Sequence, residues 1–91
     1  MPRPKSEASR LLGARLRKRR SELELNQESV AHRAGLNVSN YARIDRGNGN
    51  PTFHTLILLA DVLSLEIGEL LTGLTKEQLP PDRDGRAVVD P

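Results

Sequence analysis

The 91-residue sequence contains no cysteine and no tryptophan, and its aromatic residues are one tyrosine and one phenylalanine. The absence of cysteine excludes a disulfide framework and a thiolate metal site, and the two isolated histidines lack the spacing of metal ligands. Two aromatic side chains are also too few for a surface that stacks the bases of single-stranded nucleic acid. The sequence therefore predicts one small domain without a metal or another cofactor.

Long apolar runs are missing as well. Only 36% of the residues are hydrophobic, and no segment approaches the length that a membrane helix needs. The chain shows no nucleophile with a positioned base and no pair of carboxylates on a shared face. Its glycines Gly47 and Gly49 precede Pro51 rather than a helix that follows a strand, so they do not form a nucleotide-binding loop. We expect a cytoplasmic protein that has no membrane contact and is not an enzyme.

The net charge of +2 conceals an uneven distribution along the chain. Residues 1–47 carry 11 Lys or Arg against 5 Asp or Glu, whereas residues 48–91 carry 3 against 7. The densest basic run is LRKRR at residues 16–20. Such a run predicts an electrostatic footprint for phosphates, and a solvated helix face is the alternative.

Apolar residues that recur with a helical period predict five helices and no strand. The first four begin after a residue whose side-chain oxygen can cap a helix. These expected caps are Ser6 or Ser9, Asn26, Asn37 and Thr52. On the fourth helix the expected buried stripe is Phe53, Leu56, Ile57, Ala60 and Leu63. The expected organisation is a flexible basic arm at 1–8, an all-α domain at 9–72, and a tail at 73–91 that is loose or associated with a dimer.

Residues 27–47 have the spacing of a helix-turn-helix. Ala31 is small enough for two helices to cross closely, and Gly35 is free to adopt the positive φ that the turn needs. The inner apolar faces are expected to hold Val30, Ala34, Leu36, Tyr41 and Ile44. The hydroxyl of Tyr41 is expected to reach solvent or a polar partner at the edge of the core, rather than to stack on a base.

The outer face of the third helix is predicted to be mainly polar. Helical projection places on this face Ser39, Ala42, Arg43 and Arg46, with Val38 and Asn40 at its flanks. In a major groove, arginine reads guanine, asparagine reads adenine, and small apolar side chains contact the thymine methyl group. A solvated helix face is the commoner explanation of such a pattern, but the preceding helix-turn-helix spacing favours DNA binding.

Residues 10–71 resemble the Cro and phage-repressor type of helix-turn-helix protein, also called the xenobiotic-response-element family. The resemblance lies in LNQESVAHRAGLN at 25–37, IDRG at 44–47, the Asn50–Pro51 pair and the closing TLILLADVLSLEIGELL. It implies a five-helix, lambda-repressor-like fold with helix 2 over the DNA backbone and helix 3 in the major groove. It also implies a homodimer on a palindromic operator of double-stranded DNA.

The resemblance further implies roles for individual residues. The positions that approach bases correspond to Val38, Ser39, Asn40 and Arg43. The positions that approach the DNA backbone correspond to Gln27, Arg46, Asn48 and Asn50, to which the basic run adds Lys18. Gln27 is also expected to buttress helix 3. A structural ion pair is expected between Arg20 and Asp45.

The sequence departs from the family pattern at four positions. Glu24 and Ser64 stand where glycine usually ends a helix, so either these turns differ or a left-handed residue costs about 1 kcal/mol there. Val38 replaces a long polar side chain at the first reading position. Leu58 stands where relatives often carry lysine and, with Leu65, Leu74 and Leu79, predicts a dimer seam. Packing of the tail on its own domain is the alternative.

Two functions from different classes follow. The first is a homodimeric, sequence-specific regulator of transcription that binds double-stranded DNA. The second is an antitoxin or adaptor whose acidic half and tail bind a protein partner, such as a toxin, with Val88 and Val89 as anchors. Polymerase is a further protein partner if the regulator activates transcription.

Overall fold

The computed structural model of the protein describes residues 5–80. In this range the chain forms five α-helices and one short 3-10 helix, and it forms no strand. The helices are α1 (Glu7–Glu22), α2 (Gln27–Ala34), α3 (Val38–Asp45), α4 (Phe53–Val62) and α5 (Ile67–Leu71), followed by the 3-10 helix Lys76–Gln78. The predicted all-α fold with five helices is confirmed. None of the described helices is both long enough and apolar enough to cross a membrane.

A polar side chain caps the N-terminus of each of the first four helices. The capping oxygen accepts a hydrogen bond from the backbone N–H three residues later, which satisfies a donor that has no partner inside the helix. These caps are Ser6, Asn26, Asn37 and Thr52, with hydrogen bonds of 2.8–3.2 Å. Of the two candidates for α1, Ser6 is the cap, and Ser9 supplies the N–H. The first helix therefore begins inside the segment predicted as an arm.

The turns that follow α1 and α4 have the left-handed geometry for which glycine is the usual residue. Glu24 has a φ of 56° and Ser64 has a φ of 54°. Each turn is closed by a backbone hydrogen bond from the next residue, Leu25 N–H to Arg20 O at 3.0 Å and Leu65 N–H to Ala60 O at 2.9 Å. The turns thus keep this geometry without glycine, at a cost of about 1 kcal/mol each.

The core collects apolar side chains from all five helices. Its fully buried members include Leu16, Val30, Tyr41, Leu59, Leu63 and Leu70. The stripe predicted for α4 is wrong at two positions, because Phe53 is 66% exposed and Ile57 is 44% exposed. Leu59, which was not predicted, is buried instead. It shares one helix face with Leu56, Ala60 and Leu63 at the spacing of three and four residues that a packed helix needs.

Close contact between α1 and the end of α3 depends on Gly13. This residue is buried, and a Cβ atom there would lie 2.8 Å from both the Asp45 carbonyl oxygen and the Gly47 amide nitrogen. Both neighbours are backbone atoms, so they cannot move aside as a flexible side chain would. The missing side chain lets α1 pass directly against the C-terminal end of α3.

The chain turns back towards α1 after α5. Leu74 and Leu79 are half-buried and line an open cleft of about 660 Å³ together with Leu12, Leu56 and Phe53. Leu74, which was predicted to form a dimer seam with Leu58, therefore lines this cleft. Leu65 packs against the core, while Leu58 is 44% exposed. The anchors predicted at Val88 and Val89, like residues 1–4, lie outside the described residues.

Candidate nucleic-acid interface

The crossing of α2 and α3 has the geometry that the sequence predicted. Ala31 is fully buried, and Gly35 ends α2 in the left-handed conformation with a φ of 70°. Backbone hydrogen bonds from Gly35 N–H to His32 O (3.1 Å) and from Leu36 N–H to Ala31 O (2.8 Å) close the turn. A side chain larger than that of Ala31 would separate the helices, and a residue other than glycine would be strained at position 35.

Helix α3 divides into an inner and an outer face. Tyr41 and Ile44 are buried in the core. The exposed residues are Val38, Ser39, Asn40 and Arg43, with Arg46 directly after the helix. Ala42 was expected on the outer face, but it is only 8% exposed. Both α1 and α2 pack against this eight-residue helix, so more of its circumference is covered than contact with a single helix would bury.

A polar notch adjoins the outer face of α3. It has a volume of about 360 Å³ and lies between α3, the loop that follows it and the first turn of α4. Two of the predicted base-reading residues, Asn40 and Arg43, line it together with the predicted backbone residues Asn48 and Asn50. Lys5 and Thr55 also line it. The other predicted site residues, among them Val38, Ser39, Arg46, Gln27 and Lys18, do not line this notch.

Asn48 is fixed by its backbone. Its N–H donates to the Arg43 carbonyl oxygen at 2.8 Å, which continues the hydrogen bonding of α3 into the loop. Its side-chain Oδ1 is buried and has no hydrogen-bond partner within residues 5–80. A buried acceptor without a donor costs free energy, and this oxygen belongs to a residue that lines the notch.

A buried cluster around Asp45 supports α3 from beneath. The Asp45 carboxylate is completely buried and accepts hydrogen bonds from Arg20 Nε (2.9 Å) and Nη2 (3.2 Å), Gln27 Nε2 (3.1 Å) and Tyr41 Oη (2.8 Å). The expected contact between Arg20 and Asp45 is thus a two-pronged ion pair. Because these donors lie on α1, α2 and α3, one carboxylate joins the three helices.

The cluster explains the state of its titratable donors. Burial and the nearby Asp45 carboxylate raise the pKa of the Tyr41 hydroxyl, so the phenol stays neutral and donates its proton. The hydrogen bond from Arg20 to Asp45 raises the pKa of the guanidinium. Gln27 was expected both to touch a phosphate and to buttress helix 3. Its bond to Asp45 accounts for the second role, and the phosphate contact stays a prediction.

The arginines of α1 have partners within the chain that the sequence does not indicate. Four of them donate hydrogen bonds to backbone carbonyl oxygens near the ends of other helices or in the next turn. Arg15 reaches Leu70 O in α5 (2.8 Å), Arg17 reaches Asp45 O in α3, Arg19 reaches Leu63 O at the end of α4 (2.8 Å), and Arg20 reaches Leu25 O (3.1 Å). Guanidinium groups complement the negative ends of helices, where carbonyl groups lack partners.

These contacts change the interpretation of residues 16–20. Three of the four cations in LRKRR donate hydrogen bonds to carbonyl groups of the chain itself, so the run also has a structural role, and the phosphate footprint stays a prediction. Lys18 is exposed, and no hydrogen bond involves its side chain in the described part of the chain. The phosphate contact of Lys18 stays a prediction as well. Over residues 5–80, no three His, Cys, Asp or Glu residues are grouped to hold a metal ion.

Known proteins are similar to this chain in both sequence and fold. A family model described as helix-turn-helix matches residues 16–70. The control protein C.SmaI of Serratia marcescens is 36% identical over 70 residues, which are 75% of this chain and 83% of that protein. The chain spans only 66% and 50% of the length of two other curated regulators that it matches.

Solved structures give the same result. The restriction-modification controller protein C.AhdI from Aeromonas hydrophila is 34% identical, with a TM-score of 0.66 over 68% of this chain and 94% of that one. The P22 c2 repressor, solved in complex with a synthetic operator, is 25% identical, with a TM-score of 0.64 over 69% of this chain and 96% of that one. The chain therefore belongs to the helix-turn-helix family, in its Cro and phage-repressor type.

Proposed function

We propose that the protein is a sequence-specific transcriptional regulator that binds double-stranded DNA with the outer face of α3 in the major groove. The observation that carries this proposal is the placement of Ser39, Asn40 and Arg43, which are exposed together while Tyr41 and Ile44 anchor the opposite face in the core. The family membership supports the same function, because its members in the comparisons are transcriptional regulators.

The exposed side chains suit different parts of the DNA. Arg43 has the forked guanidinium that reads guanine, Asn40 has the amide that reads adenine, and Val38 offers methyl groups to thymine. Ser39 donates to or accepts from either edge. The proposed DNA-backbone contacts are Gln27, Arg46, Asn48, Asn50 and Lys18. Contacts of this second kind fix the orientation of the protein and carry no direct sequence information.

We further propose a homodimer on a palindromic operator. Two copies of α3 about 34 Å apart would enter successive major grooves on one side of the duplex. The apolar surface for such a dimer is exposed on α4 and α5. Its large side chains are Ile57 and Leu58, each 44% exposed, and Leu71, which is 37% exposed. Of the predicted seam residues, Leu58 is the one used in this proposal, because Leu65 packs against the core and Leu74 lines the cleft beside Leu12.

The proposed function is tested by selecting the duplexes that the protein binds from a random pool. The affinity for the most enriched duplex is then compared with the affinity for a scrambled duplex. The protein is expected to enrich a palindrome with half-sites about one helical turn apart. Arg43→Ala should abolish the preference for the palindrome over the scrambled duplex, because the guanidinium reads bases in this proposal. Lys18→Ala should lower the affinity for both duplexes to the same extent. Equal affinity of the unaltered protein for all duplexes would reject sequence-specific binding.

The adaptor or antitoxin hypothesis receives no support from the comparisons. It remains testable because it places the main contacts in the acidic second half and the tail. Under the regulator proposal, truncation after Pro80 should leave the operator affinity within about twofold of the full chain. A toxin-like or polymerase partner would be sought only if this truncation removed the biological effect and spared DNA binding.

A further inference from the structure

The basic run of α1 makes a contact inside the protein that is not among the proposed DNA contacts. The relevant contact joins Arg17 Nη1 to the backbone carbonyl oxygen of Asp45, 28 residues further along the chain. Asp45 is the last residue of α3. The backbone N–H groups that follow it donate to other carbonyls, Arg46 to Ala42, Gly47 to Ile44 and Asn48 to Arg43. The Asp45 carbonyl is therefore left for the guanidinium.

With Arg17, both the side-chain carboxylate and the main-chain carbonyl of Asp45 are hydrogen-bonded. The carboxylate is held by Arg20, Gln27 and Tyr41, and the carbonyl is held by Arg17. Since Arg17 and Arg20 both lie on α1, this helix holds the C-terminal end of α3 through side-chain and main-chain atoms together. The close passage at Gly13 brings the two helices near enough for these contacts.

The proposed base contacts make the position of this end important. Arg43 lies two residues before Asp45, Arg46 follows it directly, and Asn48 lies three residues after it. A bidentate contact with a base requires placement within about 0.5 Å, whereas a flexible cation over a phosphate tolerates larger displacements. Loss of the restraint on α3 should therefore affect specific binding more than binding to arbitrary DNA.

We propose that Arg17 is a positioning residue for DNA recognition, which holds the end of α3 through the Asp45 carbonyl and contributes to operator affinity without contacting a phosphate. This inference rests on the proposed function of α3. Lys18 provides the contrast, because it is exposed and its ammonium forms no hydrogen bond in residues 5–80. The two cations are adjacent on one helix, and each carries a single positive charge.

The test compares Arg17→Met with Lys18→Met. Methionine keeps an unbranched apolar stem of good helix propensity, so each change removes one charge and little packing. Affinities for the selected operator and for a scrambled duplex are measured between about 50 and 200 mM salt. The temperature is chosen below the unfolding of every variant, as verified by circular dichroism.

Arg17→Met is expected to weaken operator binding roughly tenfold, because the released end of α3 then has to be ordered when the specific complex forms. Its affinity for the scrambled duplex should stay within about twofold, and its salt dependence should equal that of the unaltered protein. Lys18→Met is expected to lower the affinity for both duplexes and to reduce the magnitude of the slope of log K against log salt by about 0.9. A purely structural contact would lower the melting temperature and leave both affinities unchanged.

Two results would overturn the inference: a fall in the salt slope with Arg17→Met, which identifies a phosphate contact, or unchanged operator affinity. If Arg17→Met does not fold, Arg17→Lys is measured instead. A lysine keeps the charge needed for a phosphate, so operator binding equal to that of the unaltered protein would contradict positioning. An operator-specific loss would support it. Failure of the proposed function looks different, because the unaltered protein would then not distinguish the operator from the scrambled duplex.

Discussion

At the scale of single residues, Asp45 depends on its hydrogen-bond partners for stability, because its carboxylate is fully buried. Asp45→Asn keeps the shape but removes the charge, leaving Arg20 without its counterion at a side chain that is only 17% exposed. We expect this change to lower the free energy of unfolding by about 3 kcal/mol or more, as measured by urea denaturation.

The control for this prediction is a double-mutant cycle with Arg20→Met. Each single change leaves one buried charged group without its partner, whereas the double change removes both charges. The double variant should therefore lose clearly less stability than the two single variants together. Additive losses would show that the ion pair is not the source of the effect.

Local residue roles were easier to predict than distant ones. The caps Asn26, Asn37 and Thr52 followed from the sequence, because each contact spans three residues. The Arg20–Asp45 pair spans 25 residues and was reached only through the family resemblance. The carbonyl partners of Arg15 and Arg19 lie 55 and 44 residues away. Every residue carries a carbonyl group, so no residue type in the sequence marks these acceptors.

At the scale of elements, the contact between α1 and α3 leads to a prediction that opposes helix propensity. Alanine is favoured over glycine inside a helix, yet a Cβ at Gly13 would lie 2.8 Å from backbone atoms of Asp45 and Gly47. We expect Gly13→Ala to lower the free energy of unfolding by about 1 kcal/mol or more, because overpacking outweighs the propensity gain. Thermal or urea unfolding measures the change.

Gly68 in α5 provides the matched control, since a Cβ there would meet no atom within 4 Å. Gly68→Ala should be neutral or raise the free energy of unfolding by about 0.5 kcal/mol. Equal gains from both substitutions would mean that α1 and α3 separate at little cost. Operator affinity gives a second measurement, because a displaced α3 should also bind its proposed operator less tightly.

The face of α4 shows where the sequence was insufficient for an element. The segment LILLADVL is apolar on nearly all sides, so helical periodicity left several faces available. Burial of Leu59 and exposure of Ile57 depend on where α2 and α5 pack, and the sequence of α4 does not contain that information. The faces of α3 were easier to predict, because its polar and apolar residues alternate clearly with the helical period. Ala42 was the exception, since it was predicted on the outer face and is buried.

At the scale of the whole molecule, the exposed apolar residues of α4 and α5 bear on the proposed homodimer. Ile57 and Leu58 are both 44% exposed, and Leu71 is 37% exposed. In a two-fold dimer the same patch is used twice, so a charge introduced near the axis meets its own copy. Like charges placed together in this way oppose association, whereas a single added charge on a free surface has little effect.

Leu58→Glu is therefore expected to shift the protein from dimer to monomer, as measured by sedimentation equilibrium across a range of concentrations. The same variant should still recognise a single half-site, because α3 is unchanged, but it should lose cooperative binding to the palindrome. Ser21→Glu adds the same charge at an exposed position of α1 and should leave the dimer intact. If Leu58→Glu remains dimeric, the seam lies elsewhere, and the spacing of half-sites would have to arise from another surface.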